Sequence, residues 1–205
     1  MALAQEVEPV VPGTSIWRVY EPAVKAELFS TTFTTDLGAY LVDPIPLATD
    51  ALADLRSSGR TIGIFVTNAN HGRASAQFAL EFSVPIYVHQ SLQEMKEFAG
   101  AIGVCDGQIL LGGPTAIAID GGAGGEMALH RAQDGGTMMM GDALINFEPS
   151  GFALLPAKYC LDAKLMRRSL RKLLDYSFER ILFAHGTPIL SRARARVEQL
   201  LADSP

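Results

Sequence analysis

Polar residues concentrate directly after the apolar run "TIGIFV", in the segment "TNANHGR". This segment supplies two carboxamides, Asn68 and Asn70, an imidazole, His71, and a guanidinium, Arg73. Loops at the carboxyl end of a buried strand are where α/β proteins place binding and catalytic groups. An imidazole at such a place can act as a general base or as a metal ligand. The segment is therefore predicted to form part of a functional site.

Two later segments show the same pattern of a polar residue after an apolar run. Asp142 follows "GTMMM", and His185 follows "RILF" with one alanine between them. Carboxylate and imidazole groups are the side chains that acid–base and metal chemistry require. Although these residues are widely spaced in the chain, they can meet His71 if the three strand ends converge on one edge of the fold. If the strand ends converge, the candidate catalytic group is His71, Asp142 and His185.

The elements that must position these residues can be derived from hydrophobic periodicity and turn signals. Strands are predicted at 16–20, 61–66, 84–89, 108–113, 115–119 and 180–186, with strand pairs over 27–44 and over 126–146 around the turn "QDGG". Helices are predicted at 46–59, 71–83, 91–103, 161–178 and 189–203. This order of elements predicts an α/β protein with mixed sheets covered by outer helices.

The composition limits the class of protein. The chain has 205 residues, of which 48% are hydrophobic and 19% are charged, which predicts one domain with a sizeable core and excludes a disordered chain. No apolar stretch is long enough to span a bilayer, and the N-terminus lacks the pattern of a signal peptide, so a cytoplasmic protein without a membrane partner is expected. The two cysteines match neither a disulfide framework nor a zinc motif.

The charge distribution bears on partners. Basic residues concentrate near the C-terminus, where one face of the predicted helix 161–178 carries lysines and arginines and the other face carries Leu161, Leu165, Leu170, Leu173 and Leu174. Because the net charge is −5 and no aromatic residues alternate with the basic ones, a solvated surface helix is expected and a nucleic-acid partner is not. An unidentified small molecule is the expected partner, and a homo-oligomer is left open.

Four segments resemble the metallo-β-lactamase superfamily in order and spacing over residues 15–190. "GAYLVDP" resembles the early strand that ends in an aspartate, here Asp43, and "IFVTNANHGRASAQFA" resembles the strand, loop and helix that carry T-H-x-H-x-D-H. "GGTMMMGDALI" resembles the strand before the bridging aspartate, and "ILFAHGTPI" resembles the segment of the last ligand histidine. The resemblance implies a four-layer αββα sandwich with two mixed β-sheets and outer helices, spanning residues 1–205 as one domain.

The chain departs from the family at most of the metal ligands. When the segments are aligned at Thr67, the family's ligand positions hold Asn68, Asn70, Gly72, Arg73 and, in the mid-chain turn, Gly122. Amide oxygens bind zinc poorly, and a guanidinium brings a fixed positive charge. Only Asp142 and His185 carry over as ligand types, while Asp43 is expected to orient loops beneath the site. The resemblance therefore implies a hydrolase fold without the usual dinuclear zinc site.

Three interpretations of this loop remain open. In the first, one zinc ion is held by His71, Asp142 and His185, with water at the open position, and the protein is an atypical hydrolase. In the second, no metal binds, Arg73 pairs with Asp142, and His185 hydrogen-bonds the same carboxylate. Under this second interpretation Asn68 and Asn70 cap the helix that follows, and His185 or His71 can still act as a general base.

In the third interpretation, Arg73, His71 and free backbone amides bind an anionic small molecule, with Asn68 and Asn70 beside them. The protein is then a non-catalytic binding or scaffold protein that retained the fold. The family it resembles hydrolyses thioesters, lactams, phosphodiesters and lactones, and no residue of this sequence selects among these substrates.

Overall fold

A computed structural model of the chain describes residues 2–147 and 151–203. The strands are β1 (Glu8–Val11), β2 (Thr14–Glu21), β3 (Ala26–Thr35), β4 (Gly38–Val42), β5 (Thr61–Phe65), β6 (Ile86–His89), β7 (Ile102–Val104), β8 (Thr115–Ala118), β9 (Met127–Arg131), β10 (Thr137–Met140), β11 (Leu144–Phe147), β12 (Gly151–Leu154) and β13 (Arg180–Phe183). The α-helices are α1 (Thr49–Ser57), α2 (Ser75–Phe82), α3 (Ala163–Leu170) and α4 (Ala193–Ala202).

Two mixed sheets form the centre of the fold. The first has the order β1-β2-β3-β4-β5-β6-β7, antiparallel from β1 to β4 and parallel from β4 to β7. The second has the order β13-β10-β9-β8, in which only β10 and β13 pair in parallel. Strands β11 and β12 pair as a separate hairpin.

Three apolar clusters join these sheets and the helices into four layers. The middle cluster lies between the sheets and includes Phe33 and Phe65 from the first and Met139 from the second. A second cluster packs α1 and α2 on the outer face of the first sheet, and a third packs α3 and α4 on the outer face of the second. The predicted αββα sandwich is therefore confirmed.

The carboxyl ends of four strands meet at one end of the sandwich. Because β4 and β5 are parallel and β10 and β13 are parallel, the residues that follow each pair lie side by side. These residues are Asp43 after β4, the Thr67–Arg73 loop after β5, Asp142 after β10 and His185 after β13.

Several predicted elements are wrong in detail. The helix expected at 91–103 is two short 3₁₀ turns followed by β7, since Gly100 adopts a positive φ of 85° that an α-helix cannot include. The strand expected at 108–113 is reduced to a single bridge between Ile109 and Thr115, because Gly112 and Gly113 turn the chain at positive φ. Strands β1 and β12 were not expected.

The basic helix is shorter than predicted and buries different residues. It forms α3 and then continues as a 3₁₀ turn, Arg171–Asp175. Met166, Leu170 and Leu173 are buried, whereas Leu161 is 77% exposed, so the expected leucine stripe is wrong at its N-terminal end. Within the described residues, no helix is long and apolar enough to cross a membrane.

Candidate metal centre

The loop after β5 is shaped by Asn68. Its side-chain Oδ1 accepts a hydrogen bond of 2.9 Å from the Asn70 backbone N–H, which starts a 3₁₀ turn over Ala69–His71. This turn directs the Asn68 and His71 side chains into the protein and leaves the Asn70 side chain exposed. Asn68 thus caps the turn as expected, but the capping role expected for the Asn70 side chain is wrong.

His71 is held in one orientation by the residues beneath it. Its Nδ1 lies 2.9 Å from Asp43 Oδ2 and 2.8 Å from Thr67 Oγ1, and its ring is 3% exposed. Since Thr67 Oγ1 donates its own hydrogen to Asp43 Oδ2, both oxygens can accept from Nδ1, and we assign the ring proton to that nitrogen. In the neutral ring, the form that binds a metal, Nε2 then carries the lone pair and faces Asp142 and His185; in the protonated ring, Nε2 donates to Asp142.

Asp43, predicted to orient loops beneath the site, is almost completely buried. Its Oδ1 accepts a 2.8 Å hydrogen bond from the Thr67 backbone N–H, and its Oδ2 contacts His71. A carboxylate that accepts from one nitrogen of an imidazole fixes which nitrogen is free to bind a metal. Asp43 is therefore placed to orient His71.

Asp142 contacts both histidines through one oxygen. Its Oδ1 lies 3.2 Å from His71 Nε2 and 3.2 Å from His185 Nε2, while the two Nε2 atoms are 3.3 Å apart. Each of the three residues offers a ligand atom within 4.8 Å of the others, so they form a group that could hold a metal ion. The three residues predicted from separate strand ends are brought together here.

The second oxygen of Asp142 belongs to a different hydrogen-bond chain. Asn68 Nδ2 donates to Asp142 Oδ2 at 3.1 Å and to Glu126 Oε2 at 2.8 Å, and Glu126 Oε1 accepts from the Ala143 N–H at 3.0 Å. Glu126 is 2% exposed and was not singled out from the sequence. The signal that could have identified it is an acidic residue placed directly between the glycine-rich turn and the apolar strand β9.

Burial and charge act against each other in this cluster. Burial raises the pKa of Asp142, but the charge of His71 and hydrogen bonds from both histidines outweigh it and hold this pKa well below its usual range. Burial and Arg73 lower the pKa of His71, but Asp43 and Asp142 outweigh them and raise it to about 9. Burial and the neighbouring Asp142 raise the pKa of Glu126 to about 8.

Arg73 does not face the metal group. Its Nη1 donates to the backbone oxygens of Phe29, at 2.6 Å, and Asp43, at 3.0 Å, and its Nη2 lies 3.5 Å from the oxygen of Ala184. Among the described residues no carboxylate lies within 4.0 Å of this guanidinium, so the expected Arg73–Asp142 pair is wrong. The guanidinium thus donates to backbone oxygens where the two sheets meet. The Asp43 oxygen also accepts from Ser30 Oγ, and the Ala184 oxygen also accepts from the Phe29 N–H.

Comparison with known proteins agrees with this fold. A sequence model of the metallo-beta-lactamase superfamily matches residues 10–204. The metallo-beta-lactamase of Pontibacter korlensis is 14% identical with a TM-score of 0.74, covering 97% of this chain and 99% of its own. The DIM-1 metallo-beta-lactamase is 14% identical with a TM-score of 0.75, covering 98% of each chain.

A metallo-beta-lactamase family protein from Thermus thermophilus is 19% identical, with a TM-score of 0.68, and the alignment covers 95% of this chain and 80% of that one. No curated protein sequence matches the chain. At these identities, the similarity to solved structures shows the fold alone. Because the family model matches nearly the whole sequence, the chain belongs to the metallo-β-lactamase superfamily.

Proposed function

We propose that this protein is an atypical hydrolase of its superfamily that works with a single metal ion, held by His71, Asp142 and His185, in place of a dinuclear zinc site. The observation that carries the proposal is the convergence of two imidazole nitrogens and one carboxylate oxygen at separations of 3.2, 3.2 and 3.3 Å. Two histidines and one carboxylate are a donor set typical of catalytic zinc.

The spacing of these atoms supports zinc in particular. Ligands about 2.0–2.1 Å from a tetrahedral ion are separated from one another by roughly 3.3–3.4 Å. The three separations in the structure are close to this value on every side of the triangle. In addition, two Nε2 atoms that face each other at 3.3 Å cannot both carry protons without repulsion, and a shared cation removes that conflict.

The side chains at the positions of the family's other metal ligands also support a single ion. Asn68 directs an N–H donor, and not an oxygen, at Asp142, which disfavours a cation on that side. Asn70 is exposed to solvent, and Arg73 is engaged with backbone oxygens. None of these three side chains offers a ligand atom to a second ion in this arrangement.

Bound zinc supplies a water molecule of lowered pKa and polarises a carbonyl or phosphoryl oxygen of a substrate. The chain's own residues prepare the site for it. Asp43 and Thr67 keep the proton on His71 Nδ1 and leave Nε2 free. His185 has an exposed fraction of 17%, larger than the 3% of His71, so the ring of His185 lies on the side open to a substrate.

A non-catalytic scaffold is the second candidate, and one observation favours it. A protonated His71 can donate to Asp43 through Nδ1 and to Asp142 through Nε2, which satisfies both carboxylates without an ion. The orientation of Arg73 removes the main receptor that the anion-binding interpretation requires. The two candidates therefore differ in whether a metal is retained.

Metal analysis separates these candidates. The protein, His185→Ala and the control His89→Ala are purified without added zinc, soaked in zinc and dialysed, and their zinc is measured by mass spectrometry. We expect about one equivalent in the protein and the control and about a tenth or less in His185→Ala. Zinc below about a tenth of an equivalent in the wild type would contradict the proposal. Zinc-loaded protein is then assayed on lactam, thioester, phosphodiester and lactone substrates.

A further inference from the structure

The orientation of the Asn68 amide is fixed by its surroundings. Its Oδ1 accepts from the Asn70 backbone N–H at 2.9 Å, so the group that faces the two carboxylates must be Nδ2. A flipped amide would lose this cap and would place an oxygen against Asp142 Oδ2, which is an acceptor. Asn68 therefore presents two N–H groups to two carboxyl groups.

This amide divides the two oxygens of Asp142 between two roles. Oδ2 accepts from Asn68 at 3.1 Å, whereas Oδ1 faces His71 and His185 at 3.2 Å. Only Oδ1 is thus directed toward the metal group. The same amide donates to Glu126 Oε2 at 2.8 Å and so lies between two carboxyl groups, a place suited to a cation.

Glu126 cannot withdraw from this arrangement. Its Oε1 is bound by the Ala143 N–H at 3.0 Å, and the backbone of Gly141 lies against it. A Cβ atom on Gly141 would lie only 2.6 Å from Glu126 Oε1 and 2.7 Å from Thr67 Oγ1, so the glycine is required for this close approach. Glu126 and Asp142 therefore stay on either side of the Asn68 amide.

We propose that Asn68 is the residue that limits this site to one ion, because its amide occupies Asp142 Oδ2 and takes the place of a second cation between Asp142 and Glu126. The proposal rests on the proposed function for the identity of the first ion. It implies that a single substitution at position 68 creates a second site, for a hard divalent cation such as Mn²⁺, with Glu126 and Asp142 as ligands.

Distances support an oxygen-ligand site at this place. Neighbouring oxygens of an octahedral ion with bonds of about 2.0–2.1 Å are separated by roughly 2.9–3.0 Å. Asn68 Nδ2 lies 2.8 Å and 3.1 Å from its two carboxylate partners. Asn68→Asp replaces this nitrogen with an oxygen of nearly equal size, so the separations of this oxygen from Glu126 Oε2 and from Asp142 Oδ2 would be close to those of an octahedral ion.

The test is a Mn²⁺ titration of zinc-loaded protein, in which electron paramagnetic resonance measures the free ion. We compare the wild type, Asn68→Asp and the matched control Asn70→Asp, which adds the same charge to an exposed side chain of the same loop. Asn68→Asp is expected to bind one further Mn²⁺ per chain, with an affinity at least about tenfold above that of the other two proteins. Adding Glu126→Ala to Asn68→Asp is expected to remove the gain.

Equal Mn²⁺ binding by folded Asn68→Asp and Asn70→Asp would overturn the inference, as would a wild type that binds Mn²⁺ as tightly as Asn68→Asp. If Asn68→Asp does not fold, Asn68→Ala removes the amide without adding charge. It is expected to bind Mn²⁺ more tightly than the wild type, and equal binding would again overturn the inference. If the proposed function is wrong, the wild type retains no zinc, which the metal analysis detects independently of Mn²⁺ binding. The Mn²⁺ comparison is then made on the zinc-free proteins.

Discussion

The free energy of unfolding of the zinc-free protein is expected to fall as the pH rises from 6.5 to 9. Deprotonation of His71 accounts for part of this fall. Asp43 and Asp142 raise the pKa of His71 from 6.5 to about 9 in the folded protein, against burial and Arg73. Each unit of difference corresponds to about 1.4 kcal/mol, so protonated His71 contributes about 3 kcal/mol to the free energy of unfolding. Because the folded pKa is the higher one, this contribution is complete below pH 6.5 and disappears as the pH passes 9.

The assay is urea unfolding in the presence of a chelator, for the wild type and for His71→Gln, at several pH values across this range. Glutamine carries no titrating proton, so the difference in unfolding free energy between the two proteins is expected to shrink by about 3 kcal/mol, mostly between pH 6.5 and 9. The raised pKa of Glu126 adds a decline to both proteins. Because the charge of His71 lowers that pKa, the comparison is repeated in a Glu126→Gln background, where this contribution is absent.

His89→Gln is the control, because the pKa of His89 is lowered by burial and its titration falls outside this range. Its stability curve is expected to run parallel to that of the wild type. If the curves of His71→Gln and the wild type also stayed parallel from pH 6.5 to 9, the assignment of His71 as a cation held by two carboxylates would be refuted.

Asp43→Asn is expected to raise the zinc dissociation constant about 10- to 100-fold, because His71 loses the carboxylate acceptor that keeps its proton on Nδ1. Competition with a chromophoric chelator measures the constant, and Asp50→Asn, at an exposed position, is the control. Glu126→Gln is expected to remove the part of the stability decline that this carboxyl group causes between pH 4.5 and 8, and a decline as steep as that of the wild type in urea unfolding would contradict its raised pKa. Arg73→Ala is expected to cost about 2–4 kcal/mol of unfolding free energy, since the hydrogen bonds from the guanidinium to three backbone oxygens are lost and alanine must adopt a φ of 43°. Arg73→Lys keeps the charge and should recover only part of that loss, and thermal unfolding that leaves all three proteins equal would exclude this role.

The fold and the location of the site were predictable because they depend on simple chain properties. Apolar runs marked the buried strands, and polar residues at their carboxyl ends marked the edge where parallel strands finish. His71, Asp142 and His185 were therefore expected near one another, and they lie together although they come from distant parts of the chain. The family resemblance added the four-layer order, which periodicity alone does not determine.

The roles of individual loop residues were harder to predict, since they depend on backbone conformation. The cap from Asn68 makes a 3₁₀ turn that rotates His71 inward and Asn70 outward, and motif spacing carries no information about this rotation. Arg73 has a left-handed backbone with a φ of 43°, and its guanidinium turns to backbone oxygens instead of Asp142. Glu126 lies 58 positions from Asn68 in the chain, so their contact leaves no local pattern to read.

The contacts of Arg73 have a consequence for how the protein gains and loses its ion. This guanidinium connects the backbone of Phe29 and Asp43, in and beside the first sheet, to that of Ala184, next to His185 on the second. Together with the 2.9 Å hydrogen bond from the Phe29 N–H to the Ala184 oxygen, this cation of the chain itself joins the two halves of the site. Whereas a zinc finger unfolds when its ion is removed, this protein should keep its shape through repeated cycles of metal loss and uptake.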